Sequence, residues 1–272
     1  MSDEPTSVNL DFTIVRGKFY RLLQRQLDII SLLIGGAQNV TETQVHDARG
    51  FHNFSPAHGA ELMHVQAKLA ALDWIQGAFI RDAIEATGLF LDECLTFCAA
   101  VQLGASGNAN FEALHQICTV DHIKNQKLHF PEKIATLQRK FSVAPEFSEH
   151  ALSINKLRSC LVHRMGEVSE ADTKPESSLT VKWISSQMVQ RDPTTGDESV
   201  VSESNPYVKP GATVVLRDAV HVREFHIGEC ISLTPYEVFS TTFTLWKFGM
   251  ACALAIENYA TNSGLAIEKG GA

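Results

Sequence analysis

The chain lacks most of the short motifs that announce a chemistry. It holds no Gly-rich phosphate loop, no serine-centred nucleophile elbow and no EF-hand loop, which excludes the NTPase, α/β-hydrolase and calcium-sensor classes that depend on them. Its six cysteines form no Cys-x-x-Cys pair. Cys94 and Cys98 lie one helical turn apart, but their apolar surroundings favour reduced, buried thiols, so neither a disulfide nor a metal site is expected. The N-terminus has no basic-then-apolar export pattern. The one run that approaches membrane length, residues 238–256, carries Lys247 among Ser240, Thr241, Thr242 and Thr244, and Glu237 opens it. A core helix is expected there, in a cytosolic protein with no membrane partner. A general excess of positive charge is missing as well, since the formal net charge is −8; this argues against a surface that coats nucleic acid.

What the chain does have is an uneven distribution of that charge. Residues 122–164 carry 8 basic and only 3 acidic side chains, a local balance of +5, whereas residues 1–121 carry 7 and 14 and residues 165–272 carry 8 and 14. An acidic body with one basic face can steer a polyanion to a single place. The plain alternative is a helical bundle in which one helix happens to be basic.

Periodicity makes the chain mainly α. Val15 to Ile34 repeats apolar residues at three- and four-residue steps, and Gly35-Gly36 is expected to end that helix. A His-, Asn- and Gly-rich loop follows up to Gly59, in which His46, His52 and His58 (with His64 beyond) fall six apart, a spacing that suits no metal-binding face. Residues 60–103 read as a long helical spine, kinked or broken near Gly77 or Gly88. One or two short helices are expected over 111–128, then a helix from Pro131 to Phe141, then one from Glu149 to Met165 capped by Ser148. From 177 to about 230 the pattern turns β-like, with strands at Leu179–Ile184, Ser199–Ser202, Thr213–Leu216 and Val220–Phe225 and turns at Asp192–Asp197 and Asn205–Tyr207. Thr234-Pro-Tyr-Glu237 then supplies a capping box for a last helix to about Tyr259. The expected architecture is an N-terminal helical extension, residues 1–59, followed by a helical bundle, residues 60–272, with a small antiparallel β insert before the last helix.

The most informative stretch is Ile154-Asn-Lys-Leu-Arg-Ser-Cys-Leu-Val-His-Arg-Met-Gly166, an amphipathic helix ending in glycine. Arg158 and His163 are separated by four residues. Ile154, Leu157, Leu161 and Met165 are expected to form its buried seam, with Arg158 at the seam's edge and Ser159 and His163 one turn apart on the accessible side. A guanidinium at that edge needs a carboxylate or an outward route, and Asp82, Glu85, Asp92 and Glu93 are candidate partners. An accessible imidazole can take and return a proton near neutral pH. A fixed guanidinium can hold a non-bridging phosphate oxygen as charge builds on it, and Ser159 can orient either group. On RNA the ribose 2′-hydroxyl is the built-in nucleophile, so such a pair needs no metal. His221 and Arg223 share one face of a strand, either flanking the cleft or simply solvated.

The segment Leu157-Arg-Ser-Cys-Leu-Val-His-Arg-Met-Gly166 resembles the signature helix of the HEPN superfamily, an arginine, four to six residues, then a histidine. The layout is similar too, with a long early helix, the motif helix, a variable insert and a final helix. The resemblance implies a HEPN-like helical bundle and a metal-independent endoribonuclease acting as a homodimer, in a toxin–antitoxin or defence setting. RNA or a nucleotide, a second copy and a cognate antitoxin protein are the partners it implies, with no cofactor. Arg158, Ser159 and His163 are its site residues. Ser159 stands where that family usually has asparagine. The alternative within the same fold is a non-catalytic nucleotide-binding or protein-interaction module. The alternative outside it is structural, with Arg158 and His163 in a buried network that fastens the motif helix to the spine.

Overall fold

The structure is a computed structural model and describes residues 10–49, 62–202 and 206–265. It is mainly helical, with one small antiparallel sheet. The first helix, α1 (Phe12–Asn39), starts where Asp11 accepts a hydrogen bond from the Thr13 amide at 2.9 Å. Its buried stripe of Phe19, Leu23, Ile30 and Ile34 lies along one face, as the apolar spacing requires. Gly35-Gly36 does not end it. No atom stands where either glycine's Cβ would go, and the backbone stays helical through both, so the propensity cost of about 1 kcal/mol each is met by continuing the ladder to the Val40 amide on the Gly36 carbonyl. A short helix, α2 (Glu42–Arg49), stands inside the segment expected to be loop. His52, His58 and Asn205 lie outside the described residues.

The spine is α3 (His64–Ala105), unbroken over 42 residues and about 63 Å long at the standard helical rise. Neither Gly77 nor Gly88 breaks it. Both are places of close approach: a Cβ on Gly77 would lie 3.8 Å from Leu161, and one on Gly88 would lie 3.8 Å from Lys133 Nζ. Short α4 (Phe111–Gln116) and α5 (His122–Gln126), joined by a π-helical turn at Ile117–Asp121, lead to α6 (Phe130–Phe141) with Pro131 in its first turn. The motif helix is α7 (Ser148–His163), and a single turn, α8 (Glu170–Thr173), follows it. Ser148 is not the cap of α7. Phe147, in the left-handed region at φ 64°, holds that position, and the Ser148 hydroxyl donates instead to the Pro145 carbonyl at 2.6 Å.

The sheet has strand order β2-β1-β3, with β1 (Ser178–Arg191), β2 (Glu198–Val200) and β3 (Thr213–His226). The two short strands expected at Thr213–Leu216 and Val220–Phe225 are one, because Arg217, Asp218 and Ala219 stay in register with Gln187, Ser186 and Ser185. β2 covers only the far end of β1. Farther along that edge, at Lys182 and Ile184, two helical hydroxyls take the place of a strand. Ser153 of α7 accepts from the Lys182 amide at 2.9 Å, and Thr244 of the last helix, α9 (Pro235–Asn262), accepts from the Ile184 amide at 2.8 Å. An open strand edge is thereby closed by packing it on the bundle.

Helix α9 begins with the expected capping box, Thr234 and Glu237 each accepting from the other's amide. By length and composition it is apolar enough to cross a membrane, and 56% of its most apolar window is buried within the protein. Val238, Leu245, Phe248, Cys252 and Ile256 of α9 share one core with α3, α6, α7, β1 and α1. The N-terminal helix belongs to that core, because Gly249 lets the Phe19 ring lie directly on the α9 backbone while stacking on Phe90 at 4.4 Å.

Candidate active site

The end of α7 is fixed by the chain that follows it. Arg164 and Gly166 amides both bond to the Cys160 carbonyl, and Met165 and Gly166 turn through positive φ values of 51° and 83°. Residues 166–168 then pair with 228–231, through Ile231 N–H to Gly166 O at 2.8 Å and Val168 N–H to Glu229 O at 3.0 Å. Arg164 grips Asp172 with two guanidinium hydrogen bonds, one of them Nε to Oδ2 at 2.6 Å. Burial pushes the Asp172 carboxyl up, but the bonds from Arg164 and Ser169 outweigh it and leave the carboxyl below its ordinary value. The motif helix therefore has both a fixed rotation and a fixed end.

That rotation is nearly the expected one. Ile154 and Leu157 are fully buried, and Cys160 joins them. Met165 does not, since the helix stops at His163 and the positive-φ turn points its side chain out at 98% exposure. Ser159 is half-buried and His163 exposed. Arg158 sits between, half-buried, with Nε out of contact with solvent and without a hydrogen-bond partner among the described residues.

All three motif residues line one groove of about 720 Å³ between α3 on one side and α6 and α7 on the other. Ile84, Glu85, Gly88, Leu89 and Asp92 come from α3, and the remaining lining, including His129, Lys133 and Asn155, comes from residues 126–163. The basic window of the sequence thus supplies most of one groove. A groove of this volume is of ordinary size for a small-ligand site.

The carboxylate partners foreseen for Arg158 are not used by it. Asp92, almost completely buried, is taken by Lys133, whose Nζ lies 2.8 Å from both carboxylate oxygens and also donates to the Gly88 carbonyl at 3.3 Å. Burial raises the Asp92 carboxyl above its ordinary value, and the Lys133 contact pulls it back only in part. Asp82 pairs with its neighbour Arg81 at 2.8 Å. Glu85 lines the groove without an ion pair among the described residues. The latch that ties this part of the bundle to the spine is thus Lys133–Asp92, and the Arg158 guanidinium is left to the groove. Among the described residues neither Arg158 nor His163 makes a hydrogen bond or ion pair that supports the purely structural reading.

His129, Lys133 and Asn155 complete the groove and carry no motif of their own; only the local charge balance pointed to them, whereas Asp92 is one of the carboxylates foreseen on α3. His221 and Arg223 are not brought to the groove. His221 stacks on Trp183 at 5.9 Å and its Nε2 is 2.7 Å from the Ser185 hydroxyl, while Arg223 contacts the Glu237 carboxylate at 3.1 Å. A second cleft, about 680 Å³ between α1 and α9, is walled by Tyr20, Leu27, Phe243 and Trp246 and offers neither an imidazole nor a carboxylate. Among the described residues no cluster of His, Cys, Asp and Glu is arranged to hold a metal. No protein-family model, curated protein or solved structure matches this chain.

Proposed function

We propose that the groove binds the phosphodiester backbone of RNA and cleaves it in the manner of a HEPN endoribonuclease. The observation that carries this reading is the free guanidinium. Arg158 is held by α7 in a groove with an exposed imidazole, and every carboxylate within the groove is either committed elsewhere or unpaired with it. An arginine of this kind has its fork available for a phosphate.

The chemistry follows from the groups present. His163 takes the proton of the ribose 2′-hydroxyl, the 2′-oxygen bonds to phosphorus, and the bond to the 5′-oxygen breaks. The leaving oxygen receives a proton from a protonated imidazole, for which His129 at the start of α6 offers a second ring in the same groove. Arg158 holds the non-bridging oxygens as their charge grows, and Ser159, one turn before His163, orients the imidazole. The products are a 2′,3′-cyclic phosphate and a 5′-hydroxyl. A toxin or defence role with a cognate antitoxin, in the cytosol, completes the proposal and rests on the family resemblance alone.

Incubation of the purified chain with a structured RNA in EDTA tests it directly. Fragments ending in cyclic phosphate are expected, and His163→Ala is expected to abolish them; undiminished cleavage by that variant overturns the assignment. One feature favours the second reading, a nucleotide-binding module without turnover: Ser159 offers a hydroxyl where the family's usual amide would offer two N–H donors. That reading predicts nucleotide binding that Arg158→Ala removes, with no cleavage by the native chain.

A further inference from the structure

The sheet has one long open edge, the outer side of β3; the other edge strand, β2, is three residues long. β1 uses the backbone of Lys182 and Ile184 on its outer side, toward Ser153 and Thr244. The residues opposite them in the antiparallel register, Val222 and Val220, must therefore point their own N–H and C=O groups away from β1. The same parity holds for Val214, Leu216, Asp218 and Glu224. None of these backbone groups has a partner among the described residues, and β3 makes its packing contacts almost entirely with β1. The strand contains no proline along its 14 residues, and its exposed side chains on that parity include Val214 at 43%, Leu216 at 68%, Val220 at 62% and Val222 at 57%. A long edge strand with no proline and an unbroken register is a pairing surface, and its charged residues limit which register it can take.

We propose that this edge pairs antiparallel with the same edge of a second copy, about a two-fold axis at Ala219. The sequence of β3 selects that axis. Self-pairing must set even residues opposite even ones, because only those carry outward hydrogen-bonding groups. An axis at 217 puts Arg217 on Arg217, and one at 218 puts Asp218 on Asp218. An axis at 220 puts Arg217 on Arg223, and one at 221 puts Asp218 on Glu224. Like charges directly opposite are destabilising. An axis at Ala219 avoids all of these: Leu216 faces Val222, Val220 faces Asp218, Val214 faces Glu224 and Arg217 faces His221. Asp218 is neutralised within its own chain by Lys247 at 2.9 Å. Six even pairs would exchange two backbone bonds each, about twelve in all. The result is one continuous sheet across two copies, an isologous interface. Because α7 packs on the other edge of β1, each copy keeps its own groove open, and the interface does not depend on what that groove does.

Sedimentation of the full chain at micromolar concentration tests this. A dimer is expected, and Leu216→Lys with Val220→Lys is expected to weaken it by about 100-fold or more while leaving the dichroism unchanged. Ala219→Cys, in a background with the exposed Cys118 and Cys230 changed to serine, is expected to form a copy-to-copy disulfide on oxidation, since residues on the axis face each other. A native chain that stays monomeric overturns the proposal. So does a dimer that survives the double lysine variant and fails to cross-link through position 219.

Discussion

Replacing Arg158 separates a ligand clamp from a structural latch, because the two roles predict opposite costs. In Arg158→Leu the aliphatic stem is kept in volume and the guanidinium is lost. No ion pair or hydrogen bond of Arg158 exists among the described residues, so no native partner is stranded. The Nε is already buried and unpaired, and an unsatisfied buried donor costs about 1–3 kcal/mol. Against that gain stands the loss of whatever hydration the terminal nitrogens have in the groove. The expected change in unfolding free energy is therefore small, within about 1 kcal/mol of native and on the stabilising side. Removing one member of a buried ion pair would instead cost about 3–5 kcal/mol. Cleavage should respond in the other direction, falling about 100- to 1000-fold as for the loss of one charge-stabilising group. Arg158→Lys should recover only part of it, since an ammonium cannot supply the planar fork. Urea denaturation and RNA cleavage in EDTA, run on the same preparations, read both quantities. A loss of 3 kcal/mol or more in Arg158→Leu would refute the free-guanidinium argument. Cleavage within threefold of native in that variant would refute the clamp.

Lys133→Ala should be the destabilising counterpart, lowering stability by about 3 kcal/mol because Asp92 is left buried and uncompensated; a melting temperature like that of native protein would show that the latch lies elsewhere. Gly249→Ala should destabilise by about 1–2 kcal/mol, the overpacking of its methyl group on the Phe19 ring outweighing the gain in helix propensity, and a stabilised variant in urea denaturation would mean that α1 does not press on α9 as described. Hydrogen bonds from Arg217 and then Arg191 hold the Glu198 carboxyl down to about 2, from an ordinary 4.5. A depressed carboxylate adds stability that is full above the ordinary value and is lost as pH falls toward the folded one, so the β1–β2 end of the sheet should open progressively between pH 4.5 and 2. Amide exchange at residues 198–200 should show this loss in native protein and little pH dependence in Glu198→Gln; equal profiles would exclude the triad as its cause.

The helices were legible where burial and capping speak locally. Thr234-Pro-Tyr-Glu237 marks the start of α9 because both reciprocal bonds of a capping box are made within four residues. The errors fall where a neighbour decides. Gly35 and Gly36 read as a stop, yet a glycine ends a helix only when it adopts positive φ, and nothing downstream of α1 requires that turn. Gly77 and Gly88 read as breaks, and they serve instead as the low points at which α7 and α6 approach the spine. Arg217-Asp218-Ala219 read as a gap between strands because charge interrupts the apolar alternation, whereas the pairing partner Gln187–Ser185 runs through it. The last two cases need contacts with other elements, from 30 to 84 residues away in the chain, that no local pattern contains.

The groove shows the same division. Helical spacing put Ser159 and His163 on one open side and Arg158 at the seam's edge, since 100° per residue is fixed by the backbone. It also put Met165 in the seam, because the spacing rule holds only while the helix lasts, and α7 ends two residues earlier. Which carboxylate meets which cation was beyond that rule. Four acidic residues on α3 stood as candidate partners for Arg158, and the one that is buried, Asp92, is claimed by a lysine from α6. That outcome has a physical reason. A buried carboxylate is costly unless it is paired, and Lys133 lies directly over Gly88, where the absence of a side chain lets its ammonium reach both Asp92 and the Gly88 carbonyl. With Asp92 paired to Lys133, Arg158 has no acceptor of its own among the described residues, and a buried Nε without an acceptor is a standing cost that a bound anion would repay. Natural sites keep such costs where function uses them. The unpaired Nε of Arg158 is one of several buried polar atoms left without a partner among the described residues, and it lies in the same groove as His163.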